Sequence, residues 1–198
     1  MFASQHLQPW MCSGGEASDY GVRFPIDGTN DQELYQTERF ADTGQELMYT
    51  LPMPLEIEGV FVLTLKFSEV YFSDYGKKVF SIAINDVVVT KDLDIFKAVG
   101  KNKAHDEQFE FRIDMTSKVS VGGAQADYDG QIQVRMIPSP GRDNPKVNAL
   151  LITKGSLADY RKGSQPKKKR KKKEKEGGYE LALSAFCSFL EPTHQLCG

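Results

Sequence analysis

The chain has 198 residues, about one to one and a half domains at the usual ~100–200 residues each, and 40% hydrophobic with 11% aromatic side chains suffice for one sizeable core. The formal net charge of −2 conceals a segregation: residues 161–175 hold ten of the 25 basic side chains, which leaves 15 basic and 23 acidic residues in 1–160, a net of −8. Such an acidic part is excluded as a nucleic-acid binder, having no surplus cation to neutralise phosphate, and three cysteines near the ends (Cys12, Cys187, Cys197) exclude a disulfide framework and a metal-ligand spacing.

In chain order, the start "MFASQHLQPWMCSGG" has no basic n-region and no apolar h-region, so as written it does not read as a secretory signal peptide. Residues 1–11 are expected to be disordered. The first clear strand is "GVFVLTLKF", with Phe61, Leu63, Leu65 and Phe67 on one face. "KVFSIAINDVVVTKDLDIF" reads as two strands around an Asn85-Asp86 turn, a dipeptide that tolerates positive φ. "EQFEFRIDM" alternates through Phe109, Phe111, Ile113 and Met115, and "GQIQVRMI" through Ile132, Val134 and Met136. "KVNALLITKG" is a last, more fully apolar strand. Turn residues separate these segments every 8–15 residues or so, the spacing of a two-sheet sandwich. No convincing amphipathic helix precedes residue 155. The expected fold is all-β, a two-sheet antiparallel β-sandwich of jelly-roll type spanning 12–160.

Residues 161–198 change character. "YRKGSQPKKKRKKKEKEGG" is polar and strongly basic, which predicts a disordered linker. "YELALSAFCSFLEPTHQLCG" reads as disordered tail or as a short helix on a partner surface. Its twelve apolar-rich residues fall short of the ~20 of a spanning helix and include Glu180. Lys167–Lys173 have three readings: a monopartite nuclear localisation signal that pairs with an import receptor's acidic groove, a solvated linker, or a juxtamembrane segment drawn to anionic lipid at ~1 kcal/mol per residue. As written, the chain is expected in the cytosol or nucleus.

Catalytic chemistry finds little support. The acid pairs Asp92/Asp94 and Asp127/Asp129 sit in predicted turns, which such pairs decorate anyway. His105, before a strand, suits a structural hydrogen bond better than a general base, and His6 and His194 fall in the predicted tails. "SGGEAS" and "VGGAQA" lack the lysine and the strand-to-helix context of a phosphate loop. No metal site and no cofactor are indicated.

Binding chemistry finds more. "KFSEVYFSDYG" ends a buried strand in two adjacent rings, Tyr71 and Phe72, which on a regular strand would point to opposite faces. Aromatic faces stack on the C–H face of a sugar while carboxylates take its hydroxyls. A Tyr corner with a loop-covering Phe explains the same pair without a ligand.

The segments "ASDYG", "LYQTERF", "LKFSEVYF", "KVFSIAINDVVVTKDLDIFKAVG", "AHDE" and "DNPKVNALLITKG", in this order across 18–155, resemble the malectin family of endoplasmic-reticulum lectins for glucosylated high-mannose N-glycans. The resemblance implies a β-sandwich related to carbohydrate-binding modules, without catalysis or cofactor, whose partner is a glucose-containing oligosaccharide on glycoproteins. It also implies a loop pocket of Tyr20, Phe40, Tyr71, Phe72 and Asp143. At the fifth position the family has Tyr where this chain has Phe40: stacking survives, but a phenol hydrogen bond does not, at about 0.5–1.5 kcal/mol. Tyr35, on the opposite face from Phe40 if the stretch is one strand, is no substitute. Asp143, in a loop before Asn-Pro, is expected to serve a ligand, so that its removal would cost little stability. The family's connecting segment between "GG" and "SDYG" is absent here, which is expected to expose a sheet edge and to shift Tyr20. Two other readings stand beside the lectin: a protein-interaction module, and a degenerate member that binds nothing.

Overall fold

The computed structural model describes residues 10–53 and 57–163. Most of the expected disordered start, the basic run Lys167–Lys173 and the segment "YELALSAFCSFL" lie outside the described residues. Of residues 1–11, Trp10 and Met11 are described, and Met11 opens a strand; residues 161–163 close a helix, α3 (Leu157–Gly163).

Two five-stranded antiparallel sheets make the sandwich. One has the order β1 (Met11–Ser13), β4 (Leu47–Pro52), β11 (Gln131–Pro138), β6 (Phe80–Ile84), β7 (Val87–Leu93). The other has β10 (Ala124–Asp127), β9 (Lys118–Val121), β8 (His105–Asp114), β5 (Gly59–Phe67), β13 (Ala149–Lys154). A small third sheet sets β3 (Glu38–Phe40) between β2 (Glu16–Ser18) and β12 (Lys146–Val147). The all-β sandwich is therefore the fold. Two helical turns, α1 (Glu33–Gln36) and α2 (Ile95–Val99), are too short for a 3.6-residue period to show in sequence.

Period-two burial builds the core. Phe61, Leu63, Leu65 and Phe67 of β5 face Leu47, Leu51, Ile82, Ile132, Val134 and Met136 of the other sheet, and Phe67 meets Phe80 across the gap at 5.8 Å between ring centroids. Asn85, at φ 51°, makes the β6–β7 turn as its sequence requires.

Met115 departs from the expected alternation and is 86% exposed. Asp114 ends β8 because its Oδ1 accepts from Thr116 N at 2.8 Å and from Thr116 Oγ1 at 2.6 Å, so the chain turns before Met115 can face inward. The expected final strand is likewise broken at Asn148. Its side chain accepts from Ser68 N (2.9 Å) and donates to the carbonyls of Tyr35 (2.8 Å) and Thr37 (2.8 Å), crosslinking three segments, while its backbone N donates to Lys66 O of β5 at 2.9 Å. β1 covers the edge of β4 over Met48–Thr50, half of that strand's length.

Candidate functional site

The rings of interest arise from two segments. "SDYG" forms a 3-10 turn, Tyr20–Arg23, seated on a satellite core of Ile26, Tyr35 and Val70. Gly21 is required there, because a Cβ at that position would stand 2.5 Å from the Gln36 carbonyl oxygen. Gln36 Nε2 donates to Phe24 O at 2.9 Å, and Ile26 N donates to Gln32 Oε1 at 3.0 Å, which bind the turn to α1. Tyr20 is thus presented outward at 36% exposure, with the Arg23 guanidinium 4.6 Å from its ring centroid.

The second segment follows β5. That strand stops at Phe67, so Tyr71 and Phe72 are loop residues, and the opposed faces expected of strand neighbours do not apply. Glu69, only 1% exposed, accepts on one oxygen from the backbone N–H of Tyr71 (2.8 Å) and of Phe72 (2.9 Å). Lys101 Nζ donates to Tyr71 O (3.2 Å) and Ser73 Oγ (2.9 Å). Farther along, Gly76 N donates to Asp94 Oδ2 (2.5 Å) and Arg142 donates to Gly76 O (2.6 Å). Each backbone direction is fixed, and the rings project from a tied loop.

The result is a chain of edge-to-face contacts. Tyr20 meets Tyr71 at 5.8 Å and Tyr71 meets Phe72 at 5.0 Å, the latter with ring planes 88° apart. Tyr71 is 65% exposed and so offers its face to solvent. Asp143 joins through Lys78, whose Nζ lies 2.5 Å from Asp143 Oδ2 and 5.9 Å from the Phe72 centroid. Four of the five expected residues are thereby brought together, and Tyr20 reaches Tyr71 despite the short connection before it.

Phe40 stands apart. On half-buried β3 it pairs with Lys146, three residues beyond Asp143, and no ring contact links it to the others among the described residues. The buried Lys146 beside it forms an ion pair with Glu38.

Tyr35 has a structural role. It is 3% exposed, donates to Asp106 Oδ1 at 2.6 Å and accepts from Lys66 Nζ at 2.9 Å. Burial first, and then the hydrogen bond to Asp106, push its phenol up to about 12.

The remaining candidates sort by geometry. His105 Nε2 lies 2.8 Å from Glu107 Oε1, a local pair on β8. Asp94 caps α2 by accepting from Lys97 N at 2.9 Å, and Asp127 pairs with Lys118 across the β9–β10 hairpin. Among the described residues no three His, Cys, Asp or Glu gather where they could hold a metal ion, and no helix is long and apolar enough to cross a membrane. Sequence reading missed Glu69, Lys78 and Lys101; the signal available was a polar residue two or more positions from each aromatic, too common to single out.

A sandwich that tethers solvent-facing rings and a carboxylate on loops has the form of a carbohydrate-binding module. The sequence matches the malectin domain over residues 8–150. It is 43% identical over 150 residues to malectin of Danio rerio, covering 75% of this chain and 50% of that protein. The chain belongs to the malectin family, whose domain is a carbohydrate-binding, lectin-type one, and spans about half the length of the curated relatives it matches. The fold is also similar to the ANXUR2 extracellular domain of Arabidopsis thaliana (TM-score 0.59, 21% identity, 75% of this chain and 41% of that one). A β-glucuronidase of Bacteroides uniformis shares it as well (TM-score 0.56, 21% identity), over 78% of this chain but 15% of the enzyme. At that identity both show the fold alone.

Proposed function

We propose that this domain binds glucose-terminated oligosaccharides, of the type carried by glucosylated high-mannose N-glycans, without turning them over. The observation that carries the reading is the edge-to-face run Tyr20–Tyr71–Phe72, tethered at the loop backbone and linked to the Asp143 carboxylate. Preformed rings lose little conformational freedom on meeting a sugar face, and a half-exposed carboxylate supplies paired acceptors for its hydroxyls. Phe40 is assigned the fifth position on the family's pattern. The compartment that goes with this ligand is the endoplasmic reticulum.

Calorimetric titration of the full chain with glucosyl-glucose disaccharides, followed by glycan-array profiling, tests the reading. Saturable binding that prefers glucose-capped glycans is expected. A silent titration across all linkages overturns it, and release of free sugar during the assay replaces it with an enzyme.

A further inference from the structure

Lys78 lies between the two halves of the aromatic and acidic cluster, although none of the five positions carried over from the family includes it. Its Nζ lies 2.5 Å from Asp143 Oδ2, 2.7 Å from the Asn144 carbonyl oxygen and 5.9 Å from the Phe72 ring centroid. The backbone enforces this placement: Lys78 and Asp143 form an isolated parallel bridge, and Asp143 N donates to Lys77 O at 2.9 Å. Lys78 is 8% exposed, whereas the Asp143 side chain is 40% exposed.

The asymmetry in exposure is informative. A lysine is seldom buried unless it is paired, and here the buried partner is the cation while the anion reaches solvent. The ammonium occupies Oδ2, and no hydrogen bond is made to Oδ1 among the described residues. One carboxylate oxygen is therefore anchored and the other is presented. The same cation lies near Phe72, in the range where a ring face attracts positive charge, so the acid loop and the aromatic loop share one fixed point.

We infer that Lys78 is a positioning residue for carbohydrate recognition: it holds the Asp143 carboxylate in register with the Phe72 ring, so that Oδ1 meets a hydroxyl of the sugar stacked on the aromatic surface. The inference rests on the proposed lectin function and assigns that site a residue it otherwise lacks. Lys78 acts through Asp143 and not by touching the sugar.

A double-mutant cycle on the full chain tests it, with Lys78→Met, Asp143→Asn and the double variant titrated with glucosyl-glucose disaccharides. Each single variant is expected to raise Kd about tenfold or more, and the double variant to bind no more weakly than Asp143→Asn alone, because neighbours acting as a unit are not additive. A merely structural lysine would leave Kd unmoved in every variant that melts cooperatively. Should Lys78→Met fail to melt cooperatively, Lys78→Gln takes its place in the same cycle. An unchanged Kd in the lysine variant, or effects that multiply in the double, overturns the inference while leaving the lectin reading intact. A wild-type chain that binds no disaccharide overturns both.

Discussion

Glu69 accepts the backbone N–H of Tyr71 at 2.8 Å, two residues further along the chain, and the same oxygen takes Phe72 N at 2.9 Å. A buried carboxylate thus does for the loop what an N-cap does for a helix, satisfying donors that no strand partner reaches. Two adjacent aromatics can therefore leave a strand and still serve one surface.

The first prediction follows from that latch. Glu69→Leu removes a buried acceptor of two half-buried backbone donors and should cost roughly 1–3 kcal/mol of stability, with glycan affinity falling about tenfold or more as the rings lose their tether. Glu69→Gln keeps the accepting oxygen and should recover most of the affinity. Chemical denaturation and titration of both variants decide it; a Leu variant that binds like wild type would show that the loop needs no latch.

The second concerns stability at Asp143. Read from sequence, this aspartate was expected to matter to the ligand and hardly to the fold. The structure revises that, since Asp143→Ala takes away the carboxylate partner of the nearly buried Lys78 ammonium and leaves it the Asn144 carbonyl oxygen as its hydrogen-bond acceptor among the described residues. Breaking a fully buried pair costs about 3–5 kcal/mol; with Asp143 partly solvated the loss should be nearer 1–3 kcal/mol, or roughly 2–12 °C in midpoint. Lys78→Met in the Asp143→Ala background should restore most of it, because the orphaned charge is gone. Calorimetric melting of the three proteins is the measurement, and a double variant less stable than Asp143→Ala would sink the argument.

Legibility from sequence followed period and reach. β5, β6, β7, β8 and β11 announce themselves because each runs five or more residues, long enough for an apolar run or an alternation to register. β1, β2, β3 and β12 run two or three residues, too short for alternation to register. The rings of the site were legible through a family pattern. Their supports were not: Lys78 acts through a residue 65 positions away, which only the folded chain brings to it, and Glu69 acts on backbone donors two and three residues on, a spacing too common in sequence to single out. Met115 failed for a local reason, since the Asp114 side chain closes a turn that the apolar alternation cannot foresee.

The third prediction restores a hydroxyl. Phe40 sits opposite Lys146 in β3–β12, and the following residue, Ala41, donates its N–H to Pro145 O at 2.9 Å, which ties this strand to the loop carrying Asp143. Phe40→Tyr should tighten glucoside binding by up to about tenfold, or ~1.4 kcal/mol. Titration of the variant checks this, and an unaltered affinity would remove position 40 from the sugar-contacting surface.

The last prediction is a pH dependence in the fold beneath the site. Tyr35 has its phenol raised from 10.0 to about 12, by burial and then by Asp106. Lys66 is also raised: burial, the largest single influence, would lower it, but the hydrogen bonds and charge of Tyr35 and Asp106 together outweigh that. Both groups hold their protons more tightly folded than unfolded. For Tyr35 the stabilisation is therefore complete below about pH 10 and is lost as the pH climbs through about 12, and the raised Lys66 adds to it in the same direction. For Tyr35 alone the loss across that window amounts to roughly 2–3 kcal/mol. Tyr128 is raised too, chiefly by burial, so the wild-type alkaline limb mixes contributions. Comparison with Tyr35→Phe isolates one. That variant should lose about 1–2 kcal/mol at pH 8 through the missing hydroxyl, and its stability should then fall less steeply above pH 10 than that of wild type. Urea titrations at pH 8, 10 and 11.5 measure both slopes; parallel alkaline limbs would mean that the Tyr35 proton is not held by the fold.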